Sequence, residues 1–224
     1  MVEYRYELKF LISSLTAETL KKQLSQVMSL DRHSISSEYS YDIRSVYFDD
    51  PYSSALDEKR EGNEYRSKYR MRIYNYSDGV IKMECKHKDG NMTFKEDCSI
   101  SRQIADVILA KRYLAIRSKR DFLNKFLVNA NIRRLAPSVI VDYRRTAFTY
   151  PVSNVRITFD ENIRSGRYDL NLFDPNINTI PVVNDVVMEV KCDEFIPAHI
   201  LAILSSYPKL RLAVSKFAVC SSVK

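Results

Sequence analysis

The segment Arg66-Ser67-Lys68-Tyr69-Arg70-Met71-Arg72 sets four cations at strict two-residue spacing, and a strand sends alternate side chains to one face. All four then point the same way. Arg5, Glu7 and Lys9 repeat the device among Tyr4, Tyr6, Leu8 and Phe10, as do Lys82, Glu84 and Lys86 among Ile81, Met83 and Cys85. A β-sandwich is the competing architecture, but it needs an apolar inner face on each strand. A sheet closed on itself lets the charged faces meet in one lumen, where cations around a carboxylate suit a polyanion and a metal ion.

At 224 residues, with 28% charged and 45% hydrophobic residues, the chain can bury a real core and is not of disordered composition. A net charge of +7 is compatible with a mildly basic surface or with an anionic partner such as nucleic acid, a phospholipid surface or a phosphorylated small molecule. The position of the cations inside strand-like segments favours the partner. Cys85, Cys98, Cys192 and Cys220 show no CxxC pair or zinc spacing and read as buried thiols in a reducing compartment. No signal-peptide core and no run of roughly 18 apolar residues is present, so a cytoplasmic location is expected.

Strands are expected over Tyr4–Ile12, Ile43–Phe48, Tyr65–Tyr74, Val80–His87, Met92–Ser99, Ser138–Phe148, Val155–Asp160 and Val186–Cys192, with Ser77-Asp78-Gly79 as one hairpin connection. Helical periodicity marks Thr16–Met28, Ile104–Ile116, Phe122–Val128 and Ile196–Ser205, and Leu210–Val219 reads as an extended or helical tail. The expected fold is α+β, a closed antiparallel barrel of about eight strands with helices packed outside. It forms a single domain over 1–224 with a helical insertion around 101–135.

Two unit charges about 4 Å apart at an effective dielectric near 20 interact by about 4 kcal/mol. Unpaired cations crowded in one lumen would repel strongly, and a phosphate chain that offers several acceptor oxygens per unit would relieve this. Most tyrosines and phenylalanines alternate with the cations and are expected to face away from the lumen. His33, His87 and His199 have no metal-ligand spacing and read as surface or packing residues.

Tyr6-Glu7-Leu8-Lys9-Phe10, Ser45-Val46-Tyr47-Phe48-Asp49, Tyr69-Arg70-Met71-Arg72, Met83-Glu84-Cys85-Lys86, Tyr143-Arg144-Arg145-Thr146-Ala147-Phe148, Val155-Arg156-Ile157-Thr158-Phe159-Asp160, Met188-Glu189-Val190-Lys191 and Ser215-Lys216-Phe217 occur in the order seen in the VTC domain. Over nearly its whole length the chain resembles this polyphosphate polymerase module of the CYTH-like triphosphate tunnel metalloenzymes. The resemblance implies a tunnel that binds a triphosphate with Mn2+ or Mg2+. Carried over by position, Lys9, Arg70, Arg72, Lys86, Arg145, Arg156 and Lys216 would be catalytic, Lys95, Lys191, Glu7 and Glu84 substrate-binding, and Glu189 the metal ligand. Glu7 and Glu84 also admit a plainer role as ion pairs that keep an empty lumen soluble, and Asp160 could support the metal or pair with an arginine.

Wider members of that superfamily begin Glu-x-Glu-x-Lys, whereas this chain has Arg5 at the first position, which weakens a second metal site. The implied activity is transfer of the terminal phosphate of ATP to a growing polyphosphate chain. Inorganic or nucleoside triphosphatase activity and a non-catalytic polyphosphate-binding module are the alternatives. ATP or another triphosphate and polyphosphate are the expected partners, with no DNA or RNA and no membrane span. A membrane-protein partner stays open.

Overall fold

A computed structural model describes residues 6–35, 39–90, 92–211 and 215–223. Its strands are β1 (Tyr6–Ile12), β2 (Ser29–Leu30), β3 (Tyr41–Asp49), β4 (Arg66–Tyr74), β5 (Ser77–Asp89), β6 (Met92–Ile100), β7 (Ala136–Tyr150), β8 (Val155–Gly166), β9 (Ile180–Val183), β10 (Val186–Cys192) and β11 (Leu210–Arg211). The helices are α1 (Ser14–Leu24), α2 (Arg32–Ile35), α3 (Ser54–Arg60), α4 (Arg102–Leu109), α5 (Asp121–Ile132), α6 (Ala198–Ser205) and α7 (Lys216–Ser221). Tyr4 and Arg5, and with them the departure at the first motif, lie outside the described residues.

The strands form one 11-stranded antiparallel sheet in the order β11-β1-β10-β8-β7-β3-β4-β5-β6, with β2 on β7 and β9 on β8. The expected closure of the barrel is therefore corrected: among the described residues no ladder joins β6 to β1 or β11. One physical reason is that β11 already pairs with Phe10 and Leu11 of β1, so part of that edge is taken. The sheet nevertheless curls. Lys86 on β5 reaches Glu7 on β1 at 3.0 Å, although five strands lie between them in the sheet order.

The outer face carries two apolar layers. Met71, Ile73, Met83 and Cys85 pack with Phe126 and Ile108 beneath α4 and α5, while Phe159, Met188 and Val190 pack with Leu20, Leu24, Ile200 and Leu204 of α1 and α6. A third cluster lies on the concave face, where Ile43, Val139, Val141, Ile163 and Val187 meet Phe217 and Cys220 of α7 and Leu56 of α3. The expectation that helices pack only outside is thus corrected. Helix α7 fills the apolar half of the concavity, and only the other half is charged.

Local chemistry sets several boundaries. Ser13, Ser101 and Ser215 cap α1, α4 and α7 by accepting backbone N–H bonds from Thr16, Ile104 and Ala218. The helix expected to run to Ile116 stops at Leu109, with Lys111 at φ 59°, a left-handed conformation that a helix cannot continue through. The β4–β5 hairpin turns at Asn75 and Tyr76 (φ 48° and 56°), with Tyr74 opposite Ser77, rather than at Ser77-Asp78-Gly79. Positive φ at both central residues is what a two-residue turn of this type requires, and Asn tolerates it well.

Candidate functional site

Register decides which side chains share the concave face. Glu7 and Lys9 stand opposite Lys191 and Glu189, Glu189 and Lys191 opposite Thr158 and Arg156, and Asp160 opposite Arg145. Across the sheet, Arg72 and Arg70 stand opposite Ser45 and Tyr47, Arg70 opposite Glu84, and Lys86 opposite Lys95. Every site residue named from the sequence on these strands therefore lies on one face. Lys216 joins them from the first turn of α7, its Nζ 2.5 Å from Asp160.

The cations are paired with carboxylates, and Glu7 and Glu84 make ion pairs of the plainer kind that the sequence allowed them. Arg70 Nε donates to Glu84 at 2.6 Å, and Lys95 donates to the same carboxylate at 3.0 Å, with Arg72 3.9 Å away. Lys9 and Lys86 both reach Glu7, and Lys191 reaches Glu189 at 2.9 Å. Arg145 donates twice to Asp160, at 2.6 and 2.8 Å. Asp160 thus anchors Arg145 and Lys216. Arg156 turns instead to Asp31, at 2.7 Å, a residue near α2 that also accepts from Ser34 N–H.

Burial raises the cost of ionising these carboxyls, but the surrounding cations outweigh it. Arg70, Arg72 and Lys95 hold Glu84 far below the usual carboxylate range, and Arg145 and Lys216 hold Asp160 down to about 2. Glu189 is likewise held well below it by Lys191, Lys9 and Lys216. For Glu7, burial and the Glu189 charge push upward, and Lys9, Lys191 and Lys86 still leave it lowered.

Because the folded value of Asp160 lies below its unfolded value of about 3.9, its stabilising contribution is complete above that value. It is lost as pH falls through about 2. We expect the urea midpoint to fall between pH 5 and pH 2, with Asp160 contributing about 2 kcal/mol. Asp160→Asn should flatten that slope when both midpoints are measured.

Three residues absent from the sequence-derived set belong here. Tyr47 accepts from Arg70 at 3.0 Å, and Tyr143 accepts from Arg72 at 3.1 Å, so the expectation that aromatics face away from the cations is corrected for both. Tyr143 lies two residues from Arg145, and counting parity would have found it. Its phenol reports the local field: burial pushes it up, yet Arg145, Arg72 and Lys216 leave it below the ordinary tyrosine value. Lys68 is the third. Its Nζ lies 3.2 Å from Ser215 Oγ and 4.9 Å from the Phe217 ring centroid.

Among the described residues no group of three or more His, Cys, Asp or Glu side chains gathers as a metal site. The donors that fit a divalent ion are Glu189 and Glu7, which share Lys191 as a neighbour at 2.9 and 3.9 Å and are both favoured as carboxylates by nearby lysines. Hard oxygen donors from one or two carboxylates suit Mg2+ or Mn2+ when substrate phosphates and water complete the shell. The residues present therefore fit such an ion.

The family model described as VTC domain matches residues 4–223. A search of curated proteins finds no match. Among solved structures, a candidate adenylate cyclase from Bacillus halodurans is 14% identical and superposes with a TM-score of 0.52, over 92% of this chain and 87% of its own. The PH1819 protein of Pyrococcus horikoshii is 12% identical over 91% of this chain and 86% of its own, with a TM-score of 0.43. No helix among the described residues is long and apolar enough to cross a membrane.

Proposed function

The chain belongs to the VTC domain family and shares the fold of a candidate adenylate cyclase, and from that premise we propose that it is a polyphosphate polymerase-like enzyme of the CYTH-like, triphosphate-binding kind. It transfers the terminal phosphoryl group of ATP to a growing phosphate chain. The observation that carries this reading is the convergence of Lys9, Arg70, Arg72, Lys86, Arg145 and Lys216 on one concave face, each held by a carboxylate or phenol.

These anchors orient the donors in advance. Asp160 takes two of the five N–H donors that a guanidinium carries, leaving others of Arg145 for phosphate oxygens. Arg70 and Arg72 are braced by Glu84, Tyr47, Ser45 and Tyr143. Lys95, Lys191 and Arg156 flank the donor and acceptor chains. In-line transfer then needs little covalent work: a terminal oxygen of the acceptor chain forms a bond to the γ-phosphorus as the bond to ADP breaks, and ADP leaves with the electron pair. A divalent ion held by Glu189 with Glu7, when bound, would neutralise charge on the bridging and terminal oxygens.

Purified protein incubated with ATP and Mn2+ should make acid-stable long-chain phosphate and release ADP. Lys216→Ala should stop synthesis, because it removes a cation from the centre of the face. Absence of chain product across several divalent metals would refute the reading. One observation favours hydrolysis as a second activity: the sheet does not close, so water can enter from the open side. Free phosphate released without chain growth would select that alternative.

A further inference from the structure

Beyond the carboxylate-anchored part of the face, the cationic rows continue with no carboxylate in ion-pair contact among the described residues. Arg66 on β4 stands directly opposite Lys88 on β5, and Lys68 stands opposite Lys86. Like charges directly opposite one another destabilise a strand pair. Lys86 has Glu7, but Arg66 donates to the Asn63 carbonyl, and Lys68 meets the Ser215 hydroxyl and the Phe217 ring. Among the described residues no ion pair joins Lys59, Arg66, Lys68 or Lys88 to a carboxylate.

Lys59 lies on α3, which packs against β4, the strand that carries Arg66 and Lys68. Burial, then Arg66, Lys9 and Lys88, push its ammonium below the ordinary lysine value, and burial, then Lys59, Arg66, Lys9 and Lys86, pull Lys68 down to about 7. The charges that weigh most on these two amines are positive. The Glu58 carboxyl feels Arg66 and Arg133, yet burial, with Asp49 and Asp50, leaves it raised.

We propose that Lys59, Arg66, Lys68 and Lys88 form a second anion subsite at the α3 end of the trough, which grips linear inorganic polyphosphate beyond the three phosphoryl groups held at the centre. It rests on the function proposed above. The subsite explains why cations are stacked here at a cost to the strand pair: a long chain supplies the charge that the protein omits. An unbranched chain with a charge on every unit fits a row of lysines better than single-stranded nucleic acid, whose bases need stacking partners.

Binding of tripolyphosphate and of long-chain inorganic polyphosphate is measured by titration calorimetry for the wild type and for the double variant Lys59→Gln/Lys88→Gln. The expected result is unchanged tripolyphosphate affinity and a loss of long-chain affinity of about tenfold or more, with the log K against log salt slope reduced by roughly 0.7 per cation removed. Equal weakening of both ligands, or no weakening of either, would overturn the subsite. An oligodeoxythymidylate that competes better than polyphosphate would overturn the choice of ligand. Failure of the wild type to bind tripolyphosphate would instead sink the underlying function, and the subsite with it.

Discussion

Glu189→Gln should lower turnover by about 10²–10³-fold, the scale seen when one group that stabilises transition-state charge is removed, while tripolyphosphate still binds. Glutamine keeps the shape of the side chain and can still accept a hydrogen bond from Lys191, whose Nζ lies 2.9 Å from the carboxylate. It cannot supply the negative oxygen that a hard cation requires. Removing one negative charge from a face that must hold phosphates should leave ground-state affinity the same or tighter. Steady-state kinetics with Mn2+ and calorimetry with tripolyphosphate separate the two effects. A variant that turns over normally would show that Glu189 serves only to neutralise Lys9 and Lys191.

The largest stability effect is expected away from the site, at Arg44. Its guanidinium donates to Asp142 through Nε at 2.8 Å and Nη2 at 2.7 Å, with the side chains 2% and 6% exposed. It also donates to the Asp174 carbonyl and lies 4.6 Å from the Tyr76 ring centroid. Arg44→Ala leaves Asp142 buried without its counter-charge and should cost about 3–5 kcal/mol, read as a lower urea midpoint. A well-packed apolar pair, Arg44→Met with Asp142→Leu, should recover most of that loss, since the pair's attraction is offset by its desolvation. A single-variant cost under about 1 kcal/mol would mean that water reaches the pair.

How much of this was legible beforehand depends on the range of the interaction. Alternation put Arg70 with Arg72 and Lys82 with Lys86 on shared faces, because a strand's two-residue period depends on backbone geometry alone. The same parity also held Tyr143 with Arg145, although most aromatics alternate with the cations and were expected to face away. The motif order pointed to Lys9, Glu189 and Lys216 as companions, and Lys9 and Glu189 are cross-strand partners. The pairing of Arg156 with Asp31, 125 positions away, left no sequence signal. The sheet's open edge and the seat of α7 on the concave face were equally silent, because the short strand β11 and the contacts of Phe217 depend on the curvature of the assembled sheet.

Sequence by itself therefore determined which side chains are charged, which of them share a strand face, and which family carries that pattern. Tertiary structure alone decided which carboxylate each cation meets, which half of the concavity is apolar, and where the cations run on with no carboxylate in ion-pair contact among the described residues. The division follows from distance along the chain. Side-chain direction within a strand is a local property of the backbone, whereas ion pairing between β1 and β5 exists only once the strands between them have bent the sheet far enough to bring Glu7 and Lys86 together.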